Sequence, residues 1–315
     1  ANSYIVSSSG TYSIPAVKGN SSESVGPVAS AEVLWESFGT DERVFKGSLV
    51  SGTKYENGKV YFKTADSYRE GNAVIAAKDA SGTILWSWHI WLTDHPEEHI
   101  YNNNAGTMMD RNLGATSATS GDVGALGLLY QWGRKDPFLG SSSISGNSVA
   151  NSTITWPSAV SSDSSTGTVD YVTSHPTTFV KGGSSQSYDW HYSSRNNTLW
   201  QSEKTIYDPC PAGWRVPDGG VWNVAGFSNT TYDDTNKGIS FSISSPSTTW
   251  YPASGYRFSD DGALSNVGRS GCYWSVAPYS SNADTLGFNY YGDVAPTNSN
   301  YRAYGFPVRC LQESE

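Results

Sequence analysis

Thr83-Ile-Leu-Trp-Ser-Trp-His-Ile-Trp-Leu-Thr93 is the stretch that decides the fold of the first third of the chain. Strict alternation places Trp86, Trp88, Ile90 and Leu92 on one face and Leu85, Ser87, His89 and Trp91 on the other. One face is therefore core, the other carries an amphipathic mixture, and the strand is expected at the centre of its sheet. Upstream, short alternating runs at residues 3–6, 12–17, 32–37, 59–64 and 72–78 are separated by Gly-containing turns. This is the spacing of a small β-sandwich, expected over residues 1–97.

Downstream, His95-Pro-Glu-Glu-His99 breaks the pattern. Two His four apart with carboxylates between them resemble half a metal site, but Pro96 spoils the helix that would align the rings, so the stretch reads as a solvated linker. Val123, Leu126, Leu129 and Tyr130 have helical spacing and predict a helix over residues 121–132, with a second, short one over 219–225. Residues 140–204 are Ser/Thr/Asn/Gly-rich and poorly periodic, an irregular insertion that Trp156, Tyr171, Phe179, Trp190 and Trp200 are expected to pin down. Short strands and ring-rich turns follow from Phe241. The fold class expected is mainly β, with an α+β C-terminal part.

Composition narrows the function. The 315-residue chain carries a net charge of −9, only 16% charged residues and 13% aromatics, so rings supply burial that aliphatics do not. With 20 Lys+Arg and no basic run, the chain is a poor partner for nucleic acid or anionic lipid. No apolar stretch approaches the length of a membrane helix, so no direct membrane insertion is expected. A chain opening on Ala1 without a charged, apolar leader is expected to be processed or a fragment. Three cysteines in a Ser/Thr/Asn-rich chain suggest an extracellular setting, with one disulfide and one leftover thiol; their spacings match no zinc motif.

Thirteen aromatic rings lie between Trp250 and Phe306, where Tyr alternates with Asn, Ser, Asp and Gly. That is paratope composition: Tyr gives contact area at low entropy cost and the small polar residues give adaptable hydrogen bonds. Trp250, Tyr273, Trp274, Phe288 and Phe306 are expected to be buried and Tyr279, Tyr290, Tyr291, Tyr301 and Tyr304 displayed. The five histidines, His89, His95, His99, His175 and His191, are scattered, with no nucleophile elbow, zinc-protease motif or phosphate loop. Asp233-Asp234 and Asp260-Asp261 sit among turn residues and read as turn chemistry. No catalytic residue, metal site or cofactor is expected.

Four segments carry a family resemblance: Met109-Asp-Arg-Asn-Leu-Gly-Ala115, Gly127-Leu-Leu-Tyr-Gln-Trp-Gly-Arg-Lys-Asp-Pro-Phe138, Thr205-Ile-Tyr-Asp-Pro-Cys-Pro-Ala-Gly-Trp-Arg-Val-Pro217 and Gly305-Phe-Pro-Val-Arg-Cys310. Together they resemble the Fibrobacter succinogenes major paralogous domain, which implies a C-type-lectin-like fold over residues 98–315 with the insertion at about 140–204. The opening, Ala1-Asn-Ser-Tyr-Ile-Val6 with Gly19-Asn20, is similar to the immunoglobulin-like β-sandwich preceding such domains in fimbrillin-type surface proteins of Bacteroidales, although Ser3 stands where Cys is frequent there. In that frame Cys210 and Cys310 lie at the two ends of the lectin-like core, which implies a disulfide closing a loop of about a hundred residues. The Glu-Pro-Asn and Trp-Asn-Asp motifs of calcium-dependent sugar binding are absent.

Residues 258–309 further resemble the variable region of proteins diversified by retroelements, where randomised adenines turn Asn-type codons into Tyr, Ser, Asp, Thr, Gly and Ala. The resemblance implies a ligand-binding face made of Cys272, Tyr279, Asp284, Thr285, Asn289, Tyr290, Tyr291, Asp293, Asn298, Ser299, Tyr301 and Tyr304, with Gly287 and Ala295 also in the pattern. Cys272 is then either a randomisation product with a free thiol or a structural cysteine. The function expected is a surface-displayed adhesin, a pilus-tip subunit that binds a protein or glycan on a host or bacterial surface and assembles with pilus subunits. The location expected is extracellular, at a pilus tip or anchored at the outer membrane. A structural pilin-type subunit without a specific ligand is the alternative. A lectin-fold enzyme of the formylglycine-generating type, which needs a reactive cysteine pair, comes third.

Overall fold

The computed structural model describes residues 1–228 and 230–315, and it is mainly β. Strands β1 (Ser3–Val6), β2 (Thr11–Pro15), β3 (Ser30–Ser37), β4 (Val50–Glu56), β5 (Lys59–Thr64), β6 (Gly71–Lys78) and β7 (Ile84–Leu92) build the first part. They form one sheet in the order β1-β7-β6-β3 and a second in the order β2-β5-β4. Ile14, Val60 and Phe62 of the second sheet meet Ala73, Ile75, Trp86, Trp88 and Ile90 of the first in a shared core. β7 is central, with β1 running parallel on one side and β6 antiparallel on the other. The runs expected at 3–6 and 59–64 coincide with β1 and β5. β4 was not expected, because Val50-Ser-Gly-Thr-Lys-Tyr-Glu56 is a polar edge strand with little to bury.

The second face of β7 is no amphipathic surface. Trp91 is fully buried and packs with Trp35 and Val74 against Met109, Leu113, Trp132, Trp200, Trp274 and both Cys210 and Cys310. Its indole Nε1 donates to the Ala115 carbonyl at 2.8 Å. β1 is held the same way: Asn2 Nδ2 donates to the Ile206 and Asp208 carbonyls at 2.7 and 2.9 Å, and Ser3 Oγ to that of Pro209 at 2.5 Å. Thus the sandwich and the C-terminal part share one continuous core.

His89, on the same face, lies between Ser3 Oγ at 3.1 Å and Asn72 Oδ1 at 2.7 Å, and burial pushes its pKa down to about 3. Unfolded, the imidazole titrates near ~6.5, so across the interval from about pH 3 to 6.5 the unfolded chain binds a proton that the native one refuses. Stability from this residue is complete above that interval and is lost as pH falls through it. The buried carboxyls of Asp189 and Asp208, pushed up to about 6, run the opposite way. The residue is therefore isolated by comparing urea midpoints of wild type and His89→Gln at pH 7 and 4.5. The variant is expected to lose less on acidification, and equal losses would refute the assignment.

In the C-terminal part, two small four-stranded sheets flank the core, one joining Tyr130–Gln131, Gly305–Phe306, Tyr256–Arg257 and Leu264–Ser265, the other Trp214–Arg215, Leu311–Gln312, Thr107–Met109 and Glu98–Ile100. The second sheet corrects the linker reading. His99 sits in the strand Glu98–Ile100, is buried, and its Nδ1 lies 2.8 Å from Thr249 Oγ1, while His95, Glu97 and Glu98 stay exposed.

Neither expected helix forms. Residues 121–132 contain only the 3-10 turn Val123–Ala125, because Gly121 and Gly127 adopt φ of +79° and +73° and the chain then enters the strand Tyr130–Gln131. Leu126, Leu129 and Tyr130 are buried nonetheless, so the periodicity recorded burial in an irregular coil. Residues 219–225 are turns whose Trp222 is buried and donates to Tyr251 Oη at 3.0 Å. The one α-helix among the described residues, α1 (Val169–Ser174), lies inside the insertion, capped by Thr168 Oγ1 on the Tyr171 amide. The insertion is pinned as expected, with Phe179, Trp190 and Trp200 buried and Trp156 and Tyr171 half-buried.

Candidate functional site

Cys272 through Ser299 fall on a single antiparallel meander, Ser270–Tyr279, Asn282–Asn289 and Val294–Tyr301, joined by two tight hairpins. Register explains why one face is core and the other available. Tyr273 pairs with Leu286, and both point with Phe288 into a core of Trp222, Phe241 and Tyr251. Cys272 pairs with Gly287, and Gly287 with Ala295, so these three share the opposite face.

That opposite face is hollow because Gly287 has no side chain and Ala295 a short one. A groove of about 260 Å³ results, lined also by Ser270, Cys272, Asn289, Asp293, Val294 and Asn298. A Cβ on Gly287 would come within 3.2 Å of Asn298 Nδ2, so the groove is shallow and easily filled. The Cys272 thiol is free and half-buried, 3.9 Å from Ser270 Oγ, and burial pushes its pKa up to about 11. At neutral pH it is a thiol, a weak nucleophile.

The tyrosines divide between the two ends of the meander. Tyr279 and Tyr301 flank Asn282 at one end and are 65% and 38% exposed. At the other hairpin, the tilted rings of Tyr290 and Tyr291 lie 4.0 Å apart with exposures of 36% and 75%, and the Arg269 guanidinium sits 4.9 Å over Tyr290. Asn289 and Asp293 build that hairpin: Asn289 Oδ1 accepts from the Tyr291 and Asp293 amides, and its Nδ2 donates to Asp293 Oδ2 at 3.0 Å. The strand between the two groups spans on the order of 20 Å.

Not every residue of the expected face is on display. Asp284 is buried, accepting from Ser275 Oγ at 3.1 Å, and desolvation raises its pKa. Thr285 is fully buried and its Oγ1 accepts from Asn300 Nδ2 at 2.8 Å. At Asp284 the outer side is covered by the turn at Gly219, which packs against Ala277 and the carboxylate. Tyr304 is half-buried between Tyr301 at 5.9 Å and Phe306 at 5.2 Å, a rung between surface and core. Ser299 is half-buried, and Asp293 and Asn298 are exposed. The core set Trp250, Tyr273, Trp274, Phe288 and Phe306 is buried throughout.

One ring at this surface was not expected. Tyr188, from the insertion, stacks on Tyr301 at 4.4 Å and extends the row Tyr301–Tyr304–Phe306. Ser187 and Tyr188 hold φ of +53° and +56°, a left-handed pair that side chains other than Gly seldom adopt. Tyr188 also walls a polar cleft of about 530 Å³ with Ser161, Lys181, Ser184 and Asp260. Its spacing in a low-complexity segment held no signal.

The frame under the face is cross-linked and buried. Cys210 and Cys310 are fully buried and disulfide-bonded, 100 residues apart. The Arg309 guanidinium lies 3.8 Å from the Tyr251 ring and donates to Asn112 Oδ1 at 2.8 Å. The acidic pairs behave as turn formers, Asp233 Oδ1 accepting from the Thr235 and Asn236 amides and Asp261 Oδ1 from that of Ala263. Among the described residues no group of three His, Cys, Asp or Glu is arranged to hold a metal, and no helix is long and apolar enough to cross a membrane. Comparison of the chain with family models, with curated proteins and with solved structures returned no match.

Proposed function

We propose that this protein is a surface-displayed adhesin whose C-terminal, C-type-lectin-like part presents a retroelement-diversified binding face, with the immunoglobulin-like sandwich as its connector in a fimbrillin-type pilus tip. The observation that carries the reading is a division of labour on one meander. Most residues of the variable pattern, Asp284 and Thr285 excepted, line the open groove or flank its hairpins, while Tyr273, Trp274 and Phe288 are buried under them. The disulfide is consistent with an extracellular setting. Two tyrosine groups so far apart, around a shallow groove, suit the surface of a macromolecule better than an enclosed small ligand.

An enzyme is disfavoured by the protonated, isolated thiol of Cys272. Comparing genomic copies of residues 270–304 with a nearby template repeat is the direct test of diversification. Differences confined to adenine positions are expected; differences elsewhere, or no template, would refute it.

The face should also tolerate change. Replacing Tyr279, Tyr291 and Asn298 together by Ser is expected to move unfolding free energy by no more than about 0.5 kcal/mol per site, since all three are exposed. Denaturant midpoints check this; a loss of several kcal/mol would make these side chains part of the frame.

A further inference from the structure

Away from the meander, Phe138, Trp156 and Phe179 line a partly open cavity of about 250 Å³, bounded on another side by Arg257 and the turn at Asp261 and Gly262. None of its lining comes from residues 270–301. Phe138 and Phe179 meet edge to face at 5.4 Å and are buried, and Trp156 tilts against Phe138 at 6.1 Å. One wall is therefore aromatic, and the rest is small or polar, including Ser158, Ala159 and Thr177.

Arg257 is the chemically unfinished group. Its Nε and Nη2 donate to the Leu139 carbonyl at 3.0 and 2.6 Å, and Nη1 to that of Gly262 at 3.0 Å. A guanidinium has five N–H donors, so one on Nη1 and one on Nη2 have no protein acceptor among the described residues. Desolvation alone moves its pKa, down to about 10, with no neighbouring charge to offset the burial. Asp261 lines the same cavity, yet its carboxylate serves the Ala263 amide. A half-buried cation without an ion-pair partner has donors to spare, and a planar fork of donors beside aromatic rings is complementary to a planar anion with an apolar body.

We propose that this cavity binds a small aromatic carboxylate, whose carboxylate takes the two unused N–H groups of Arg257 and whose ring packs among Phe138, Trp156 and Phe179. The volume suits it: ~150 Å³ accommodates a benzene ring, and the remainder leaves room for a short acid arm. Ligation at this place is independent of adhesion by the meander.

The test is calorimetric titration of the whole chain with phenylacetate, and with phenylacetamide as its neutral isostere. Phenylacetate is expected to bind with a dissociation constant below about 1 mM. The amide should bind at least about tenfold more weakly, because the charge-assisted fork is lost. Arg257→Gln is expected to weaken phenylacetate by about tenfold or more. Because Arg257 also ties two loops, Ala159→Phe, which fills the cavity from its wall, provides a second variant expected to abolish binding, with circular dichroism reporting the fold. No saturation by about 10 mM, equal affinity for acid and amide, or undiminished binding in a folded Arg257→Gln would each overturn the proposal. The acid-against-amide comparison decides on the wild-type chain alone.

Discussion

Replacing Cys210 and Cys310 together by Ala is expected to lower the stability of the protein by about 4–5 kcal/mol, the chain-entropy value for a loop of this length. The bond spans 100 residues, and both cysteines sit fully buried in the core that joins the two parts of the chain. The loop it closes contains the whole binding meander, whose outer side chains contribute little to holding it in place. Asp208, whose carboxylate accepts from the Cys210 and Val216 amides, ties one end of the bridge to the neighbouring strand. Guanidinium unfolding of the oxidised protein and the double variant measures the effect. A further consequence separates frame from face: substitutions at Tyr279 or Tyr291 that are silent in the oxidised protein should stay silent once the bridge is gone, because exposed side chains far from the bond act independently of it. An unchanged midpoint in the double variant would show that packing alone holds the frame.

Asp136→Ala is expected to cost about 3–5 kcal/mol, because it strands a buried cation. Lys135 Nζ lies 3.0 Å from Asp136 Oδ2, with side-chain exposures of 3% and 6%. The ammonium also donates to the Ser87 carbonyl at 2.9 Å and to Ser87 Oγ at 2.8 Å, and Ser87 Oγ donates in turn to Asp136 Oδ1 at 2.5 Å. The Trp86 ring lies 4.6 Å from Nζ. Burial pulls the Lys135 pKa down while Asp136 pushes it back up, so removing the carboxylate leaves desolvation unopposed. Since Ser87 belongs to β7, the damage falls on the junction between sandwich and C-terminal part. The double variant Lys135→Met, Asp136→Leu should regain most of the loss, because a pair replaced by apolar groups leaves no orphan charge. Denaturant titration of the three proteins decides it; a loss under about 1 kcal/mol in the single variant would mean that water reaches the pair.

Much of this architecture is legible in the residues. Alternation in residues 83–93 located β7 and its central place, since a strand buried on both faces must carry large apolar residues on each. The same alternation could not say what covers the second face. Ser87 and His89 make that face an amphipathic mixture, and each is satisfied by partners elsewhere in the chain: Asp136 and Lys135 for one, Asn72 and Ser3 for the other. The helical spacing at 123–130 misled for a related reason. Apolar residues three and four apart satisfy a helix, but equally a glycine-broken coil that turns its large side chains to one core.

At the candidate site, composition separated most rings that pack from those that face outward: Trp250, Tyr273, Trp274, Phe288 and Phe306 are buried and Tyr279, Tyr290, Tyr291 and Tyr301 exposed, whereas Tyr304, expected among the displayed, is half-buried. That works because Trp and Phe lose little by leaving water, while Tyr keeps a hydroxyl that is satisfied at a surface. Tertiary structure decided the rest: Asp284 lies under a neighbouring turn, Thr285 is buried beside Asn300, Tyr188 arrives from a segment without periodicity, and Arg257 faces a cavity with an aromatic wall. Local sequence carries the period of a strand and the polarity of a side chain, but which loop covers a strand or which ring meets another is set by contacts between residues far apart in the chain.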